Sequence, residues 1–147
     1  MTSHESDAAD NTLKIDLVQK QKCFSHLKND EITILATLLQ KRHYEPGETI
    51  VTEGEPVDSV YFIIHGTADV RHVYIDNNKE TFDSIATLSS GQSIGLNETG
   101  FYSLSGLRTA TVVAKTAIDA FRLSVPAFNG FALAHPDVNI STRTEAG

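Results

Sequence analysis

A single cysteine, Cys23, is present among the 147 residues. It excludes an internal disulfide and a cysteine-based metal site, and a reducing compartment such as the cytoplasm is the simpler fit. Basic residues are also scarce: 12 Lys and Arg against 19 Asp and Glu leave a formal net charge of −7. Nucleic acid is therefore a poor partner, because phosphate binding calls for a basic surface. Long apolar runs are missing too. The most apolar, Val60-Tyr61-Phe62-Ile63-Ile64, falls far short of the ~20 residues a membrane-crossing helix needs. The N-terminus has no basic-then-apolar export pattern, so Asn97-Glu98-Thr99 and Asn139-Ile140-Ser141 read as chance spellings of a glycosylation acceptor. The six histidines show no metal-ligand spacing and no P-loop occurs, which leaves neither a metal nor a cofactor to assign.

What is present has a clear order. Residues 1–11 are polar and acidic and read as a disordered leader. A short helix is expected from Thr12, with Leu13, Leu17 and Val18 on one side. A second should start at an Asn29 N-cap, with Asp30 and Glu31 at the positive end of its dipole and Ile32, Leu35, Ala36 and Leu39 at helical spacing. After Arg42 the texture changes to short β segments broken by turn residues. Pro46-Gly47 precedes a strand over 49–52, residues 59–64 read as a buried strand, and Ala68, Val70, His72 and Tyr74 alternate along the next. Asp76-Asn77-Asn78-Lys79 is a hairpin tip leading to a strand near 82–88. A short strand enters Gly95, and 108–114 and 117–123 form a further pair. From Val125 the spacing is helical again until Pro136.

The expected architecture is mainly β with flanking helices. A helix, roughly eight short strands and a short helix in that order suggest a jelly-roll or barrel-like sandwich. One domain over 12–138 and a tail over 139–147 account for the chain.

Two chemistries compete within residues 91–114. Gly91-Gln92-Ser93-Ile94-Gly95 spells G-x-S-x-G, the nucleophile elbow of hydrolases. That elbow works on a parallel strand that turns sharply into a helix, and antiparallel strands without crossover helices do not supply it. Ser93 therefore reads as a turn serine, and no enzymatic activity is expected. Arg108 is the stronger candidate. It stands before small and β-branched residues; turned outward on a strand it is an ordinary surface arginine, whereas turned inward its guanidinium needs a negative partner. An anion held by two parallel charge-assisted hydrogen bonds is the simplest one. Gly91, Gly95, Gly100 and Gly106 let backbone N–H groups turn toward the same charge, and a short helix within 97–104 would add its N-terminus.

The stretches FSHLKNDEITILATLL, RHYEPGETIVTEGEPVDSVYFIIHGTADV, LSSGQSIG and RTATVVAKTAIDAFRLSVPAF carry a resemblance that runs from Phe24 to about Val138. Together they resemble a cyclic-nucleotide-binding domain, and the resemblance implies an eight-stranded antiparallel β-roll, jelly-roll-like, with N-terminal helices and a short C-terminal helix. Gly47, Gly54, Gly66, Gly91 and Gly95 match the glycines of that family's β-roll turns, and Glu48, Glu53 and Asp58 stand where it usually has acids. The resemblance implies a regulatory module that senses cAMP or cGMP, with Arg108 on the cyclic phosphate and Gly95, Leu96, Asn97, Glu98, Thr109 and Ala110 around the ligand. Thr109 matches a threonine that touches guanine in cGMP-preferring members.

One departure concerns the ribose. The family's cassette places a glutamate after its glycine to accept the 2′-hydroxyl; here Leu96 follows Gly95, and Glu98 is the nearest substitute. Losing that bond would cost roughly 1.5–3 kcal/mol. The C-terminal stretch 140–147 is a poor helix by propensity, so the family's lid over the base has no counterpart in it. The alternative implied by these departures is a non-binding domain of the same fold serving as an interaction scaffold. Beyond the nucleotide, the expected partners are an effector domain or protein and, through the N-terminal helices, a second copy in a homodimer.

Overall fold

The computed structural model of the protein describes residues 3–96 and 106–135, with side chains from residue 9 onward. The expectations placed on Asn97, Glu98, a helix within 97–104 and a tail over 139–147 lie outside those residues. Helix α1 spans Ser3–Lys20, so the helix expected from Thr12 begins at Ser3 instead. The polar stretch offers what a helix start requires. Acids suit its positive end, Ala8-Ala9 have the highest propensity, and Asp10 meets Lys41 at 3.7 Å.

A single 3₁₀ turn, Lys22–Phe24, leads to α2, Asn29–Thr37. Here Lys28, not Asn29, occupies the cap position. The Glu31 carboxylate does the capping, accepting the Lys28 N–H at 2.8 Å.

Eight strands follow among the described residues: β1 Gln40–Tyr44, β2 Thr49–Val51, β3 Ser59–His65, β4 Ala68–Asp76, β5 Lys79–Leu88, β6 Ser93–Ile94, β7 Thr111–Ala114 and β8 Ile118–Ser124. They pair antiparallel in two four-stranded sheets, ordered β1-β8-β3-β6 and β2-β7-β4-β5. Helix α3, Val125–Ala134, closes the described fold, with the Ser124 hydroxyl accepting the Ala127 N–H at its start. The β-roll with flanking helices is the architecture expected from the sequence. At the β4–β5 tip Asn77 and Asn78 take φ of 51° and 63°, the two left-handed residues of a tight hairpin turn. None of the described helices is long and apolar enough to cross a membrane.

The core has two compartments separated by the first sheet. Phe62 and Phe121 point to the helices, where Leu17, Val18, Phe24, Leu35 and Phe128 meet them. Their neighbours Ile63 and Ala120 point the other way, into the space between the sheets with Val51, Ala68 and Val112. Both faces of β3 are thus covered, which is why its sequence is a continuous apolar run rather than an alternation. Cys23 lies buried in the helix-side compartment, and burial pushes its thiol up to about 11.

Candidate functional site

Residues 106–108 are stitched to the loop before β3. The Val57 N–H donates to the Gly106 carbonyl at 2.8 Å, the Arg108 N–H to the Glu55 carbonyl at 2.7 Å, and the Gly54 N–H to the Arg108 carbonyl at 2.9 Å. Arg108 therefore precedes the strand it was expected to begin; β7 starts at Thr111. The reason is that its backbone groups serve this loop contact and not the sheet ladder.

The same stitching points the Arg108 side chain inward, where the residue is only 7% exposed. Its Nη2 donates to the Ser59 carbonyl at 2.8 Å and lies 3.4 Å from the Ser59 hydroxyl and 3.5 Å from Asp58 Oδ1. Asp58 is itself tied to the Ser59 hydroxyl at 2.9 Å and stands 3.8 Å from Arg122. Burial pulls the Arg108 pKa below the usual arginine value, and Asp58 opposes that shift. At these distances Asp58, 70% exposed, is a loose counterion for a guanidinium that is almost fully inside.

Gly95 supplies the other side of the site. Its φ is +97°, a region costly for any residue with a side chain. A Cβ there would meet Val60 Cγ1 at 3.0 Å and Arg108 Nη1 at 3.3 Å, so the backbone and the guanidinium approach closely because the residue is glycine. The unusual φ also reverses the facing of the chain. Ile94 packs between the sheets, whereas Leu96, two residues on, packs among the helix-side residues.

A cavity of about 530 Å³ opens at this point, within the ordinary range for a small-molecule site. Gly95, Leu96, Arg108, Thr109 and Ala110 all line it, so the structure brings these five sequence candidates together. Asn97 and Glu98 lie outside the described residues. The sequence reading did not single out the rest of the wall, chiefly Val57 from the loop before β3 and Val70, His72, Ile85 and Ala86 from the opposite sheet. Nor did it give Ser59 a role, because a backbone carbonyl as partner leaves no residue-type signal. Ser93 also lines the cavity; it sits on a two-residue edge strand paired antiparallel with β3, not on the parallel strand of a nucleophile elbow. His43 and His65 are exposed on strands.

Two antiparallel four-stranded sheets enclosing a cavity, with a buried arginine and a glycine turn on its wall, define the class as a β-roll domain with a small-molecule-sized pocket. The family model described as "Cyclic nucleotide-binding domain" matches residues 41–135, and the chain belongs to that family. Among curated proteins it is similar to Glutaminase 2 of Bradyrhizobium diazoefficiens, 25% identical over 118 residues that make up 80% of this chain and 17% of that protein. It is also similar to the cAMP-dependent protein kinase type II regulatory subunit of Drosophila melanogaster, 34% identical over 80 residues, 54% of this chain and 20% of that one. Among solved structures, the regulatory domain of Toxoplasma gondii PKA with cAMP superposes with a TM-score of 0.69 at 18% identity, covering 84% of this chain and 44% of the other. The chain spans about a sixth of the length of the first curated relatives it matches (17%).

Proposed function

We propose that the protein is a regulatory module whose cavity takes a cyclic nucleotide, cAMP or cGMP, with the cyclic phosphate on Arg108. The observation that carries this reading is the position of the guanidinium. It is buried, it lies on the cavity wall beside Gly95, and its described contacts all fall on Nη2. A phosphate entering there would meet Arg108 without displacing the Ser59 carbonyl, with Gly95 and Thr109 alongside. Family membership and relatives described with cAMP support the same ligand class.

The site also has a route to the rest of the molecule. Leu96 belongs both to the cavity wall and to the helix-side core, so a ligand that shifts the Gly95–Leu96 turn acts on what packs around α1, α2 and α3. An effector attached to or docked on those helices, or a second copy of the chain, would then feel the nucleotide. The module regulates and does not itself catalyse.

Leu96 also favours the second reading, a scaffold that binds no nucleotide. It fills the position of the family's ribose-binding carboxylate with a buried aliphatic group, 9% exposed, and Asp58 already offers Arg108 some charge. Calorimetric titration with cAMP and cGMP separates the two. The sensor reading expects heat with at least one nucleotide and a loss of about thirtyfold or more in affinity for Arg108→Ala, the worth of a charge-assisted pair. No heat with either at millimolar concentration leaves the scaffold.

A further inference from the structure

Arg108 and Thr109 mark one part of the cavity, but most of its wall is aliphatic. Val70 and Ala86 form facing positions on β4 and β5, with Ile85 and Leu88 beside them. Such a slot suits a flat ring and cannot tell one ring from another, because apolar contact discriminates weakly between isosteres. His72 interrupts the apolar surface. On β4 it follows Arg71, whose partner on β7 is Thr111; continuing that register places His72 beside Ala110, next to Thr109 and Arg108 in sequence. The imidazole lines the same cavity, and its Nδ1 lies 3.3 Å from Glu53 Oε1.

That contact decides the chemistry of the other nitrogen. A carboxylate only accepts hydrogen bonds, so Nδ1 carries the proton and donates, and in the neutral ring Nε2 is left as an acceptor. The other polar groups nearby do not alter the assignment. Asp83 faces His72 across the β4–β5 pair and is itself 3.4 Å from the Tyr74 hydroxyl that donates to it.

We propose that His72, oriented by Glu53, reads the edge of the ligand's ring by accepting a hydrogen bond from it. His72 is thus a specificity-determining residue that selects ligands with a ring N–H or amino donor. The inference rests on the nucleotide reading of the cavity and adds the part that contacts the base.

The test compares binding of cAMP, cGMP and purine riboside 3′,5′-cyclic phosphate, whose six-membered ring carries no exocyclic donor. It is run on the parent protein, His72→Ala, His72→Gln and Glu53→Gln. The parent should bind the better of the two natural nucleotides roughly three- to tenfold more tightly than the unsubstituted analogue, the worth of one neutral hydrogen bond. His72→Ala should bring that ratio to one, weakening the natural nucleotide more than it weakens the analogue. His72→Gln, whose carbonyl still accepts, should keep part of the ratio, and Glu53→Gln should reduce it. An unchanged ratio in His72→Ala means a solvated rim residue and overturns the proposal. An equal weakening of all three ligands means a merely structural role and overturns it as well. If the parent protein binds none of the three, the nucleotide reading itself falls, and this inference with it.

Discussion

Arg108 shows what a single residue can and cannot reveal from sequence. Its candidacy was legible because a guanidinium beside Thr109, Ala110, Thr111 and Val112 has no local way to be neutralised. Its actual partners, Asp58 and Ser59, were not assigned to it, because they lie 50 and 49 residues away and nothing in spacing links them. Leu96 is the converse case. As a departure from the family pattern it was visible at once, but its membership of the helix-side core depends on the reversal at Gly95, which no residue-type pattern encodes. Gly95 carries a direct prediction. Gly95→Ala forces a side chain into φ +97° and against Arg108 Nη1. It should cost about 1 kcal/mol or more in denaturant unfolding and weaken nucleotide binding by displacing the guanidinium. Unaltered binding in a folded Gly95→Ala protein would mean that Nη1 has no part in ligand capture.

At the scale of elements, strands with buried faces announced themselves and an exposed one did not. The run 59–64 is apolar throughout because β3 is covered on both sides, and it was readable as a buried strand. β1 reads Gln-Lys-Arg-His-Tyr and is exposed along most of its length, so it offers neither alternation nor an apolar run. It forms because β8 presents an edge, with a register running from Gln40–Arg122 to Tyr44–Ile118. The pairing is fastened at the surface by His43, which lies 2.8 Å from Asp119 and 2.5 Å from Glu45. Asp119 first, then Glu45, raise the His43 pKa above its ordinary value. A histidine whose folded-state pKa is raised stabilises the fold fully below about pH 6.5, its unfolded value, and loses that contribution as pH rises through the folded value. Thermal melts from about pH 6 to pH 8 should therefore show a fall in midpoint that is smaller in His43→Gln. Identical pH profiles for the two proteins would dismiss the β1–β8 clasp.

For the whole molecule, the order of turns, buried strands and terminal helices pointed to a jelly-roll or barrel-like sandwich, and the family resemblance narrowed that to the β-roll. The cavity needed three dimensions. Its wall joins the Gly95 turn, the residues before β7 and the β4–β5 pair, segments that meet only when the two sheets close on each other. In the proposed function, Arg108 on the cavity wall and Leu96, which lines the same cavity and packs in the helix-side core, are the physical basis of a switch. The most direct measurement follows the Arg108 side-chain N–H resonances by NMR during titration with cAMP or cGMP, assigned by their loss in Arg108→Lys. Saturable movement of those resonances, together with the Gly95 amide, is the predicted result. Binding that shifts other parts of the protein while the Arg108 guanidinium signals stay in place would contradict the account.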